Sequence, residues 1–191
     1  MANVKKVKAR LRELTLMDLD TISSEQIERE STAVVERVIF SEEYKSSKNI
    51  SVYLSKTRGE ISTESIIYDI FLKGKICYVP CWDEGKMEMV KLKSLEDYRS
   101  IGPNNLNELG FLKSNNQERE IGIAFDYEGN RLGNGKGSYD GYLARCQKWV
   151  KPPKTMALAL NIQIFRDSTI PVSENDLRPD IILSELEVIG D

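Results

Sequence analysis

The chain has no histidine among its 191 residues. That excludes a Ser-His-Asp triad and an imidazole general base. It also removes the usual nitrogen ligand of a zinc site. Cysteine is scarce: Cys77, Cys81 and Cys146 are the whole set. An odd, small number makes no disulfide framework. Cys77 and Cys81 lie four apart in an apolar run, which reads as buried or half-buried thiols in a reducing compartment. No apolar run approaches the ~20 residues that span a bilayer. The basic N-terminal segment lacks the apolar stretch of a secretory signal. Glu13, Asp18 and Asp20 argue against a mitochondrial presequence, so a cytoplasmic protein with no membrane contact is expected. Net charge is also small, at −3 from 27 basic and 30 acidic side chains, so no global basic excess invites nucleic acid.

What is present fits one domain spanning 1–191, without repeats or low-complexity tracts. Ser23 and Gln26 have capping-box spacing ahead of a helical stripe through Ile27, Val34 and Val38. Asn49 to Leu54 reads as a strand, and Thr63 as the cap of a helix that stops at Gly74. Lys75 to Cys81 reads as a buried strand interrupted by Pro80, and Met87 to Leu92 as a half-exposed one. Residues 93–120 are polar and loop-like, with a turn signal at Gly102-Pro103-Asn104-Asn105. Ile121 to Phe125 is a short apolar piece. A helix from Ser138 to Val150 and strands at Thr155 to Leu160 and Ile181 to Leu183 follow. Alternating strands and helices predict an α/β fold with a substantially parallel sheet covered on both faces.

The segment richest in chemistry is 129–140, with glycines alternating at 133, 135 and 137 beside Arg131 and Lys136. Glycine lets successive N–H groups turn inward, and a helix start adds its positive dipole end. Lysine brings a point charge to phosphate, and arginine a planar fork. Asp140 would face a divalent cation on that phosphate. The pattern is neither a Walker A loop nor G-x-G-x-x-G, since Asn130, Gly137 and Ser138 stand where those motifs need other residues. A phosphate cradle and a plain charged surface turn remain the two readings of the residues alone.

With Ala124-Phe125-Asp126, Gly129, Arg131-Leu132-Gly133, Gly135-Lys136-Gly137 and Tyr139-Asp140 in register, the segment resembles the signature of 5-formyltetrahydrofolate cyclo-ligases. The similarity runs from about Lys8 to Asp180 and takes in Leu54-Ser55, Gly59-Glu60-Ile61, Lys75 to Pro80 and Pro171-Val172. The resemblance implies a three-layer α/β/α domain with a largely parallel central sheet. It implies ATP-dependent conversion of 5-formyltetrahydrofolate to 5,10-methenyltetrahydrofolate, with ADP and phosphate released. In that chemistry the formyl oxygen attacks the γ-phosphate, and N10 then traps the activated carbon. ATP and Mg2+ are the implied cofactors, and a small folate, free or polyglutamylated, the implied partner of a monomeric protein.

The resemblance also assigns residues. Lys8 and Arg12, four apart on one helical face, would meet ATP phosphates, with Lys6 and Arg10 a rival register. Arg131, Leu132, Gly133, Asn134, Gly135, Lys136, Gly137, Ser138 and Tyr139 would form the ATP loop. Asn134 to Ser138 would also reach the folate, together with Leu54 and Glu60, whose carboxylate suits the paired donors of a pterin. Leu54 is equally a core strand leucine. Lys136, Tyr139 and Arg12 would be catalytic. Asp140 and Asp176 would hold magnesium, although Asp176 alone is also an ordinary turn residue. Two positions depart from the family: Asn134 replaces its arginine and Ser138 its first tyrosine. A strand expected before Ile121 is replaced by polar residues. Two other readings stand beside the active cyclo-ligase: a folate- or nucleotide-binding relative with weak or no turnover, and an unrelated phosphosugar or acyl-transfer enzyme on a similar scaffold.

Overall fold

The computed structural model describes residues 2–55, 59–83, 86–100 and 122–190. Helix α1 (Ala2–Thr21) turns Lys8, Thr15 and Leu19 inward, with Leu11 and Arg12 half-buried between them. That spacing is one face of a 3.6-residue period. In α2 (Ser24–Phe40), Ser23 caps the start by accepting the Gln26 N–H at 3.1 Å. The reciprocal half of the expected capping box is replaced. The Gln26 amide donates to Glu30 at 2.8 Å, because that buried acid needs partners. The backbone N–H of Asn161 supplies the second, at 2.7 Å.

After α3 (Glu42–Ser46) come β1 (Asn49–Ser51), α4 (Glu64–Leu72), β2 (Ile76–Asp83) and β3 (Lys86–Lys91). Val34 and Val38 of α2 and Ile66, Ile67 and Ile70 of α4 pack with Cys77 and Val79 in the main core. Thr63 does not cap α4 with its side chain. Its hydroxyl donates to the Tyr53 carbonyl at 2.6 Å, tying the β1 exit to the helix start. Pro80 does not interrupt β2, which continues through it opposite Met89. The hydrogen bonds explain why. Cys77 faces β3 through the Leu92 N–H, and Tyr78 faces β1 through the Val52 N–H, so position 80 also faces the β1 side. The β1 ladder ends at Ser51 opposite Tyr78, so the missing proline N–H breaks no ladder there.

Within the stretch expected to be loop, α5 (Leu95–Ser100) is helical, capped by the Ser94 hydroxyl accepting the Asp97 N–H at 3.0 Å. The Gly102 to Asn105 turn signal, Ile121 and the strand expected to be missing before it lie outside the described residues. The remaining elements are β4 (Gly122–Asp126), β5 (Arg131–Gly133), α6 (Ser138–Cys146), β6 (Met156–Leu158), a 3-10 turn (Asn161–Gln163), β7 (Ile164–Phe165), β8 (Ile181–Leu183) and β9 (Val188–Gly190). Helix α6 thus ends four residues before Val150.

The α/β class holds. Among the described residues the strands form three sheets, ordered β1-β2-β3, β5-β4-β7 and β6-β8-β9. Each combines one parallel and one antiparallel pairing. Helix α1 lies against β4, α6 against β3, and α2 and α4 against the inner strands β8 and β2. No helix of the described residues is long and apolar enough to cross a membrane.

Candidate active site

Strands β4 and β5 form a tight antiparallel hairpin whose turn places Gly129 at φ +79°, the left-handed region that suits glycine. The chain then passes Gly135 (φ +90°) and Gly137 (φ +70°) and enters α6. Gly137 is the helix N-cap and supplies no side-chain acceptor. The first turn of α6 thus presents its positive dipole end at the loop, the arrangement that favours an anion. Lys136 is exposed and, among the described residues, pairs with no acid. The Leu132 side chain is buried against Ala124 and Ile170, leaving only its backbone for a ligand.

Helix α1 delivers Arg12 to this loop and Lys8 to Asp176. Lys8, 8 % exposed, donates to the Asp176 carboxylate. Arg12 donates through Nε to the Gly133 carbonyl at 2.6 Å. Its guanidinium lies 3.2–3.6 Å from where a side chain on Gly135 would begin, a tight approach, and the φ of +90° favours glycine there. The rival register lies on the outer face of α1: Lys6 and Arg10 are exposed, and Arg10 pairs with Glu13 at 2.7 Å.

Arg131 is the junction of the site. It donates to Asp140 at 2.8 Å and lies 5.8 Å from the centre of the Tyr139 ring. Asp140 also accepts the Leu177 N–H at 3.1 Å, which brings it beside the residue that follows Asp176. The two acids predicted to share a cation therefore lie on one side of the protein, each paired with a cation from another element. Burial pushes the Asp176 carboxyl up, but hydrogen bonds from Lys8 and Ser173 and the charges of Lys8 and Arg131 hold it below the usual range. Asp69 and Asp180 are depressed likewise: burial raises them, and bonds from Tyr44 and Lys73, and from Thr155, outweigh it.

A folded pKa below the unfolded one adds stability above the unfolded value, about 3.9 for aspartate, and that stability is lost as pH falls through the folded value. The thermal midpoint should therefore hold from neutrality to about pH 5 and drop steeply below about pH 4. A midpoint that stays level across that acid range in a pH series of thermal melts contradicts the assignment.

Beside the loop lies a cavity of about 650 Å³. Leu54, Glu60, Arg131 and Tyr139 line it, so four predicted site residues meet there. Asn134, Lys136 and Ser138 lie on the neighbouring loop and helix start rather than in its wall. Glu60 is buried, and its charge, after burial itself, helps hold the enclosed Tyr53 hydroxyl protonated far above the ordinary range. That hydroxyl donates to the Ile61 carbonyl at 2.8 Å. Sequence reasoning missed Tyr53, Phe125, Tyr142 and Trp149 as lining residues. Tyr142, three residues after Tyr139 on α6, was findable from helical spacing. The lining suits a flat ring system, and it includes the carboxylates of Glu43 and Glu60, of which Glu60 is buried.

Comparison with known proteins bears on the family. Residues 4–185 match the model of the 5-formyltetrahydrofolate cyclo-ligase family. The chain is 38% identical over 181 residues to the 5-formyltetrahydrofolate cyclo-ligase of Mus musculus, covering 87% of this chain and 88% of that one. It is 33% identical over 215 residues to a protein of Caenorhabditis elegans named "Probable 5-formyltetrahydrofolate cyclo-ligase", covering 99% and 98%. The solved structure of Aquifex aeolicus 5,10-methenyltetrahydrofolate synthetase superposes with a TM-score of 0.73 at 25% identity, covering 96% of this chain and 92% of that one.

Proposed function

The chain belongs to the 5-formyltetrahydrofolate cyclo-ligase family, and from that premise we propose that it is an enzyme converting 5-formyltetrahydrofolate to 5,10-methenyltetrahydrofolate at the expense of ATP. The observation that carries the reading is the junction at Arg131. It joins a loop that suits phosphate to a cavity that suits a pterin, so both reactants would meet at one guanidinium. Phosphoryl transfer asks for positioning and charge neutralisation rather than a protein nucleophile, so the absence of histidine is no obstacle.

In this reading Lys8, Arg12, Arg131, Lys136 and the α6 N-terminus surround the ATP phosphates, with the Gly133, Asn134, Gly135 and Ser138 backbone closing the loop. Glu60 takes the pterin donors, Leu54 and the aromatic walls take its ring, and Tyr139 lies at the reacting end. Asp140 and Asp176 suit Mg2+, which commonly takes one or two carboxylates together with substrate phosphates. When bound, the ion would neutralise phosphate charge. Lys8 and Arg131 would then exchange their present carboxylate partners for phosphate. The same reading carries a monomeric, single-domain cytoplasmic protein acting on free or polyglutamylated folate.

The test is absorbance detection of methenyltetrahydrofolate with and without ATP. ATP-dependent formation is expected. No formation, alongside calorimetric binding of 5-formyltetrahydrofolate, would instead establish a binding protein of the family, a reading favoured by the replacements at Asn134 and Ser138. Lys136→Ala should lower turnover more than tenfold with the thermal midpoint unchanged, since removing an exposed lysine costs no more than about 0.5 kcal/mol. Equal rates of variant and parent would remove Lys136 from the phosphate site.

A further inference from the structure

Asp126 is almost fully buried, at 1 % exposure, at the end of β4. Among the described residues, its carboxylate hydrogen-bonds to no residue assigned above to ATP or folate. All four of its partners are N–H donors. One carboxylate oxygen accepts the Glu128 N–H at 3.0 Å and the Asn130 N–H at 2.9 Å. The other accepts the Asn130 side-chain amide at 2.9 Å and the Ile170 N–H at 2.7 Å. The first pair locks the hairpin turn, and the residue that leaves the turn is Arg131. The Ile170 bond grips the segment that runs on to Asp176, the partner of Lys8.

We propose that Asp126 is the positioning residue of the nucleotide site: one carboxylate fixes the roots of the two segments that present Arg131, at the start of β5, and Asp176, in the connection after β7. A displacement at Asp126 moves the two against each other, while Leu54 and Glu60 hang from the β1–α4 connection and stay in place. The inference rests on the functional reading above only for the identity of the ligand.

The chemistry admits no neutral substitute. In Asp126→Asn one acceptor oxygen becomes an amide facing two donors. Asn130 can relieve one clash by turning its side chain, because its Oδ1 is buried without a hydrogen-bond partner among the described residues. The clash with a backbone N–H remains. Asp126→Asn should therefore raise KM for MgATP about tenfold or more, and several-fold more than it raises KM for 5-formyltetrahydrofolate, which meets Arg131 too but is also held by Leu54 and Glu60.

Asn130→Ala removes a single bond to the same carboxylate and should raise KM for MgATP about threefold. Titration of both variants with Mg2+ and a non-hydrolysable ATP analogue reads the same split without turnover. A wild-type chain that makes no product would defeat the functional reading, while this titration would still decide the role of Asp126. An unchanged nucleotide affinity in either folded variant overturns the proposal. So does an equal loss for both ligands, which marks a residue serving stability alone. If Asp126→Asn does not fold, Asn130→Ala decides alone.

Discussion

Arg131→Ala is expected to lower kcat/KM for ATP-dependent cyclisation by at least about a hundredfold, more than any other single change in the loop. Two effects combine. The side chain is only 11% exposed, and loss of its charge-assisted contact with a phosphate is worth about 1.5–3 kcal/mol. The same deletion strips Asp140 of its cation at 20% exposure, leaving that carboxylate the Leu177 N–H. An unpaired, half-buried acid would then repel the incoming phosphates. Arg131 also lowers the Asp176 carboxyl by its charge, so both acids feel the loss. Arg131→Lys should recover part of the rate, because it restores the charge but not the planar fork that reaches two acceptors at once. Circular dichroism and thermal melts would establish that both variants fold. A folded alanine variant within threefold of the parent would show that the guanidinium is structural and that phosphate lies elsewhere.

The parts of the site legible in the sequence are those where side-chain type and spacing carry the physics. Lys8 and Arg12 share one face of a long helix, and α1 turns that face inward, whereas Lys6 and Arg10, which have the same four-residue spacing, lie on the exposed side. The glycine–lysine loop showed in composition alone, and the helix that supplies its positive end begins at Ser138 as expected. What stayed hidden depends on distant partners. Strand β7 has two residues and β5 three, too short for any alternation to show. Asp126 looks like any turn acid until Ile170, forty-four positions away, donates to it. Tyr53 and Trp149 line the cavity only because distant segments fold against one another. Pro80 reads as a strand breaker unless one knows that β1 ends before reaching it.

The second large effect concerns the two positions where the loop departs from its family. The double change Asn134→Arg with Ser138→Tyr is expected to raise kcat/KM roughly ten- to a hundredfold, the worth of one restored charge-assisted contact. Position 134 directly follows the Gly133 carbonyl held by Arg12, so a guanidinium there would join Arg12, Arg131 and Lys136 around one anion. With no anion bound, that many like charges repel. The gain should therefore appear in nucleotide affinity, and it should shrink as salt screens exposed charges beyond about 8–10 Å. A tyrosine at 138, in the first turn of α6, adds an aromatic wall next to Tyr139 and keeps the hydroxyl that serine has.

Kinetics at low and high ionic strength separate the two contributions, since only the arginine's part depends on salt. A double variant as slow as the parent at both strengths would place the defect outside the loop. The β-sheet is then the place to look. Among the described residues β1 pairs only with β2 and β6 only with β8, and both strands line the cavity. A strand bonded on one edge opens more readily. Rapid amide exchange across Asn49–Ser51 and Met156–Leu158, with slow exchange at Phe125, which pairs with both β5 and β7, would identify these open edges as the limiting feature.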